Sequence, residues 1–127
     1  LWGSQHPEIG GSLLAVSGTE FPGSETVEQT IANVFGGDRD AFEAAKPAAV
    51  MAANPGAYDG HTAVFTSGSD DSQFGPGAAA NAQAAREAGF TVIVETVPGA
   101  GHVGPALDEG LALGVAALGP VLGLSAP

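Results

Sequence analysis

Three short apolar runs, each boxed in by glycine or proline, constrain this chain more than anything else in it: Ser12 to Ser17 (SLLAVS), Thr62 to Ser67 (TAVFTS) and Phe90 to Val97 (FTVIVETV). A bounded, continuous apolar run of this length suits a strand covered on both faces. Between the second and third runs lies an Ala-rich stretch, Ala78 to Ala88, closed by Gly89, which reads as a helix lying tightly on a sheet. After the third run, Leu107, Leu111, Val115, Leu118 and Leu122 recur at helical spacing and predict a last helix packed through that stripe. Strand, helix, strand, helix implies right-handed crossovers, hence a parallel sheet with helices on its faces. The expected fold class is therefore α/β, a three-layer sandwich around a parallel sheet.

The segment between the first two strands makes a helical excursion. Val27, Ile31, Val34 and Phe35 share a helical face in Ser24 to Phe35, Thr26 and Gln29 form a capping-box pattern, and Gly36 and Gly37 end it. Asp40 and Glu43 repeat the start pattern with Phe42 as an anchor, and Pro47 opens a further short helix through Asn54. Helix capping explains Asp38 and Asp40 better than a calcium loop, whose Asp-x-Asp-x-Asp-Gly spacing is absent. At the start, Pro7 stops a helix whose body lies upstream, to which Leu1 and Trp2 contribute core residues. The chain opens on Leu rather than Met, and is expected to be a piece of something longer.

Length and composition remove several classes of function. A chain of 127 residues suits one domain, and its 44% hydrophobic content is enough for a core. More than a third of the positions are Gly or Ala, which lets helices lie close on a sheet. The net charge of −11 repels phosphate backbones and anionic membrane surfaces, so nucleic acid is not an expected partner. With no cysteine there are no disulfides, zinc-thiolate sites or thiol nucleophiles, and the redox compartment is left open. The longest apolar stretch, Leu111 to Leu124, is broken by Pro120 and glycines and falls short of the ~20 residues a membrane span needs. No metal site and no cofactor is expected.

In an open parallel sheet, reacting groups gather outside the carboxyl ends of the strands. Asp71 lies just past the second strand and His102 just past the third, so both fall on one rim. Neighbouring strands lie roughly 4.8 Å apart, which lets a carboxylate hold an imidazole. That pairing is the orienting half of a nucleophile, base and acid triad. The plain alternative makes Asp70 and Asp71 solvated turn carboxylates and His102 a turn histidine. His6 reads as a helix-end surface residue and His61 as the residue that opens a strand. No window matches the Gly-x-Ser-x-Gly turn that would carry a nucleophile. Ser17 is the nearest imitation, but Ala15 and Thr19 stand where the glycines belong.

These residues carry a resemblance. HPEIGGSLLAVSG resembles the stretch after the nucleophile elbow in esterases of the α/β-hydrolase fold, GGDRDAFEAAKPAAV resembles their excursion before the acid-bearing strand, and GSDDSQF and VPGAGH resemble their acid and histidine loops. The combination is similar to esterase D-type enzymes and related secreted actinobacterial esterases. The resemblance implies that residues 1–127 are the C-terminal portion of a single α/β-hydrolase domain, with the elbow serine and oxyanion loop upstream and absent. It implies a serine carboxylic-ester hydrolase with Asp71 as acid and His102 as base, a small-molecule ester as substrate of the parent, secretion, and an inert isolated chain. An assembly module is the competing reading, pairing through its open sheet edge with another copy or with a complementing N-terminal half. A mycolyl-type acyltransferase is the competing enzyme; those carry Glu as the acid, and the Asp-Asp loop favours hydrolysis.

Overall fold

The computed structural model describes residues 5–9, 11–19 and 26–124. Leu1, Trp2 and the expected helix start at Ser24 lie outside the described residues. Strands β1 (Ser12–Val16), β2 (Thr62–Gly68) and β3 (Thr91–Val97) form one parallel sheet in the order β1-β2-β3. In register, Ser12 faces Thr62 and Thr62 faces Thr91, so the three carboxyl ends reach the same rim. The chain is thus of the α/β class, with every strand where a bounded apolar run placed it.

Local chemistry sets the helix starts. Helix α1 (Val27–Val34) begins at Thr26, whose side chain accepts from the Gln29 N–H in the expected capping box. Its Val34 is exposed rather than part of the packed face. Helix α2 (Arg39–Ala45) is capped by Asp38, whose Oδ1 accepts the Ala41 N–H at 2.9 Å. The start pattern read at Asp40 and Glu43 is therefore displaced by two residues, because Asp38 comes first after the Gly36-Gly37 turn and takes the cap. Pro47 opens α3 (Pro47–Ala52), where its missing N–H costs nothing. Helix α4 (Gly75–Ala88) starts three residues before Ala78, since Pro76 is tolerated in a first turn, and it ends at the left-handed Gly89.

Alternate residues of the strands face opposite layers. Leu13, Ala15, Ala63, Phe65 and Val92 pack with Ala82, Ala85 and Ala88 of α4 and Met51 of α3. Tyr58 and Phe90 stack at 4.7 Å and close that layer from the side. The other face meets helix α5 (Pro105–Val121), where Gly110 lies over Thr66 and Val16, and Gly114 over Leu14. Helices thus cover both faces of the sheet.

The stripe expected to pack α5 does not do so. Leu118 is buried, but Leu107, Leu111, Val115 and Leu122 are all exposed, and the buried residues are Ala106, Gly110, Gly114 and Leu118. Small residues spaced by four let the helix axis come close to the sheet, and that approach turns the leucines outward. Leu111→Gln is accordingly expected to change unfolding free energy by less than about 0.5 kcal/mol. Gly114→Val, which drives a side chain into Leu14, is expected to cost about 1–3 kcal/mol. Urea titration of both variants checks the pair. Among the described residues no helix is long and apolar enough to cross a membrane.

Candidate active site

Two loops leave the carboxyl rim of the sheet and are tied together before any side chain meets. Ser69 N–H donates to the Val97 carbonyl at 3.0 Å and Asp70 N–H to the Ala100 carbonyl at 2.9 Å. Ser69 Oγ accepts the Gly99 N–H at 2.8 Å. Gly68, the last residue of β2, permits this contact: a Cβ there would overlap the Ala100 and Gly101 carbonyl oxygens. Such backbone-to-backbone approach is one of the few places where glycine is required.

This joint brings Asp71 and His102 together. His102 Nδ1 lies 2.9 Å from Asp71 Oδ2, while Asp71 Oδ1 accepts the Phe74 N–H at 2.9 Å. The Asp71 side chain is 2% exposed and that of His102 34%. Phe74 lies against the imidazole with ring centroids 4.1 Å apart. An ionised carboxylate only accepts hydrogen bonds, so in the neutral imidazole Nδ1 carries the proton and Nε2 keeps its lone pair. The arrangement is an oriented base with one nitrogen held by a buried acid.

The surroundings of Asp71 also favour its charged form. Burial pushes its carboxyl up, yet the Phe74 N–H, the bond and charge of His102 and the Gly75 N–H together outweigh burial and hold it below the ordinary carboxylate value. Because the folded value is depressed, the stabilisation is full above the unfolded value and lost as pH falls through the folded one. Asp71→Asn is expected to remove this part of the acid limb, so the variant's stability falls less than the parent's below about pH 4. Chemical denaturation at stepped pH measures it.

The other candidates fall elsewhere. Asp70 accepts from Ser69 Oγ and is exposed, so the turn reading fits it. His6 pairs with Glu8 on the surface. His61 directly precedes β2 and packs edge-on to Tyr58 and Phe90. Among the described residues, Ser17 alone combines a side chain with positive φ, at 47°. Its Oγ is buried without a hydrogen-bond partner, and nothing joins it to His102. No three potential metal ligands cluster among the described residues.

The chain is 37% identical over 103 residues to an uncharacterized protein of Corynebacterium glutamicum, a match covering 78% of this chain and 24% of that protein. The chain therefore spans about a quarter of the length of the curated relative it matches. No protein-family model matches the chain, and no solved structure does.

Sequence reasoning missed two parts of the site. Ser69 and Phe74 carried no functional reading of their own. Phe74 is three residues beyond the acid, at the mouth of a helix, which places an aromatic ring beside whatever the acid holds. That offset is the signal that was there to be found.

Proposed function

We propose that this chain carries the acid and base of a serine carboxylic-ester hydrolase, with the nucleophile supplied by a longer polypeptide of which it is the C-terminal part. The observation that carries the reading is the buried Asp71 carboxylate bonded to a half-buried His102 imidazole at the carboxyl rim of a parallel sheet. Two loops converging there, from adjacent strands, are where such a fold gathers its chemistry. The match to a quarter of a longer relative supports the longer polypeptide.

In that reading His102 Nε2 takes the proton of a serine hydroxyl as the oxygen attacks the ester carbonyl. Asp71 keeps the ring in the useful tautomer and stabilises the imidazolium. The proton then passes to the departing alcohol, leaving an acyl-enzyme. Water, deprotonated by the same nitrogen, releases the acid and regenerates the serine.

The test is a serine-reactive fluorophosphonate probe. The longer polypeptide is expected to be labelled at one serine and the 127-residue chain to remain unlabelled. Strong labelling of the short chain at Ser17 would overturn the assignment of the nucleophile. A longer polypeptide that never labels would remove the hydrolase reading.

A further inference from the structure

We infer that Phe74 is a positioning residue for His102, holding the imidazole in the orientation that keeps Nδ1 on Asp71. The inference rests on the acid–base reading for its catalytic consequence, but its geometry stands on its own. A single hydrogen bond between Nδ1 and Oδ2 fixes one atom of the ring and leaves rotation about that bond, and a flip of the ring, to be restrained by packing. The imidazole side chain is 34% exposed, so part of the ring is open to solvent and the packing of its covered part matters. Phe74 supplies the restraint, with its ring 4.1 Å from the imidazole centroid at an interplanar angle of 33°. At that separation the rings are in van der Waals contact, so the imidazole cannot turn far without meeting the Phe74 ring.

Phe74 is anchored well enough to do this. Its own N–H is bonded to Asp71 Oδ1, and it immediately precedes α4, so its backbone is set by the same turn that sets the acid. One residue thereby fixes both members of the pair, the carboxylate through its backbone and the imidazole through its side chain. The two roles separate by mutation: any replacement except proline retains the N–H, so a change of side chain isolates the ring contact.

The experiment uses the 127-residue chain with 15N-labelled histidine and reads the His102 tautomer by long-range proton–nitrogen NMR at about pH 9, well above the ordinary histidine range. The parent is expected to show His102 with the proton on Nδ1 and its carbon-bound ring protons moved upfield by the Phe74 ring. Phe74→Ala is expected to abolish the upfield displacement and to raise the share of the Nε2-protonated tautomer several-fold, up to about tenfold. Phe74→Tyr is expected to return both signals to the parent pattern. His6 and His61 serve as internal references.

If Phe74→Ala does not fold, as judged from its amide spectrum, Phe74→Leu replaces it with the same two readings. An unchanged tautomer ratio in the folded variant overturns the inference, as does failure of tyrosine to restore it. Neither result depends on ester turnover. A longer polypeptide that fails to label with a fluorophosphonate removes the hydrolase reading and leaves the tautomer result intact.

Discussion

Replacing His102 by alanine in the longer polypeptide is expected to lower ester turnover by a factor on the order of 10⁴ or more, with little change in folded signal. On the proposed reading His102 is the base, since this imidazole bonds to Asp71 and packs on Phe74. Asp71→Asn is expected to cost about 10⁴ by another route. The amide presents its NH₂ as readily as its oxygen, so the ring no longer has to hold its proton on Nδ1. On the proposed reading both losses fall in kcat rather than KM, because both groups act on the proton and not on the bound ester. Turnover of a chromogenic ester, with circular dichroism as the folding control, measures them. Parental rates in either variant would show that the pair is structural.

The same rim shows what could be read from the residues alone. Bounded runs placed the strands, although only the central β2 is buried along both faces; β1 is half-buried and β3 leaves Val94 exposed, because both lie at the edges of the sheet. Strand position alone did not separate Asp71 from Asp70; the resemblance did, by implying the acid at the second Asp of GSDD, and the structure buries Asp71 and exposes Asp70. The last helix failed for a physical reason. Its leucine stripe has the periodicity of a packed face, but periodicity reports which residues share a side, not which side faces the sheet. Ala106, Gly110 and Gly114 share a side too, and hydrophobic weight hid them. Against the sheet, close approach won over side-chain bulk. Ser69 was invisible because its role exists only once two loops far apart in sequence have met, whereas Phe74 was marked only by its offset from the acid.

That meeting depends on Gly68, and Gly68→Ala is expected to destabilise the chain by about 3 kcal/mol or more, at the upper end of what overpacking costs. A new methyl group usually finds room by displacing the tip of a flexible side chain. Here it meets the carbonyl oxygens of Ala100 and Gly101, which are backbone. Nor can that backbone retreat freely, because the Ala100 carbonyl accepts the Asp70 N–H, and the Val97 carbonyl the Ser69 N–H. Relief therefore requires breaking the joint between the loops, and the separation of Asp71 from His102 grows with it. Gly101→Ala is the control: a Cβ there meets nothing within 4 Å, and the expected cost is below about 0.5 kcal/mol. Urea midpoints at constant m-value compare the two. In the fraction of Gly68→Ala that stays folded, His102 is expected to lose its fixed tautomer. Equal midpoints for the two variants would mean that the loops are not joined as described, and the acid and base would then lack a reason to meet.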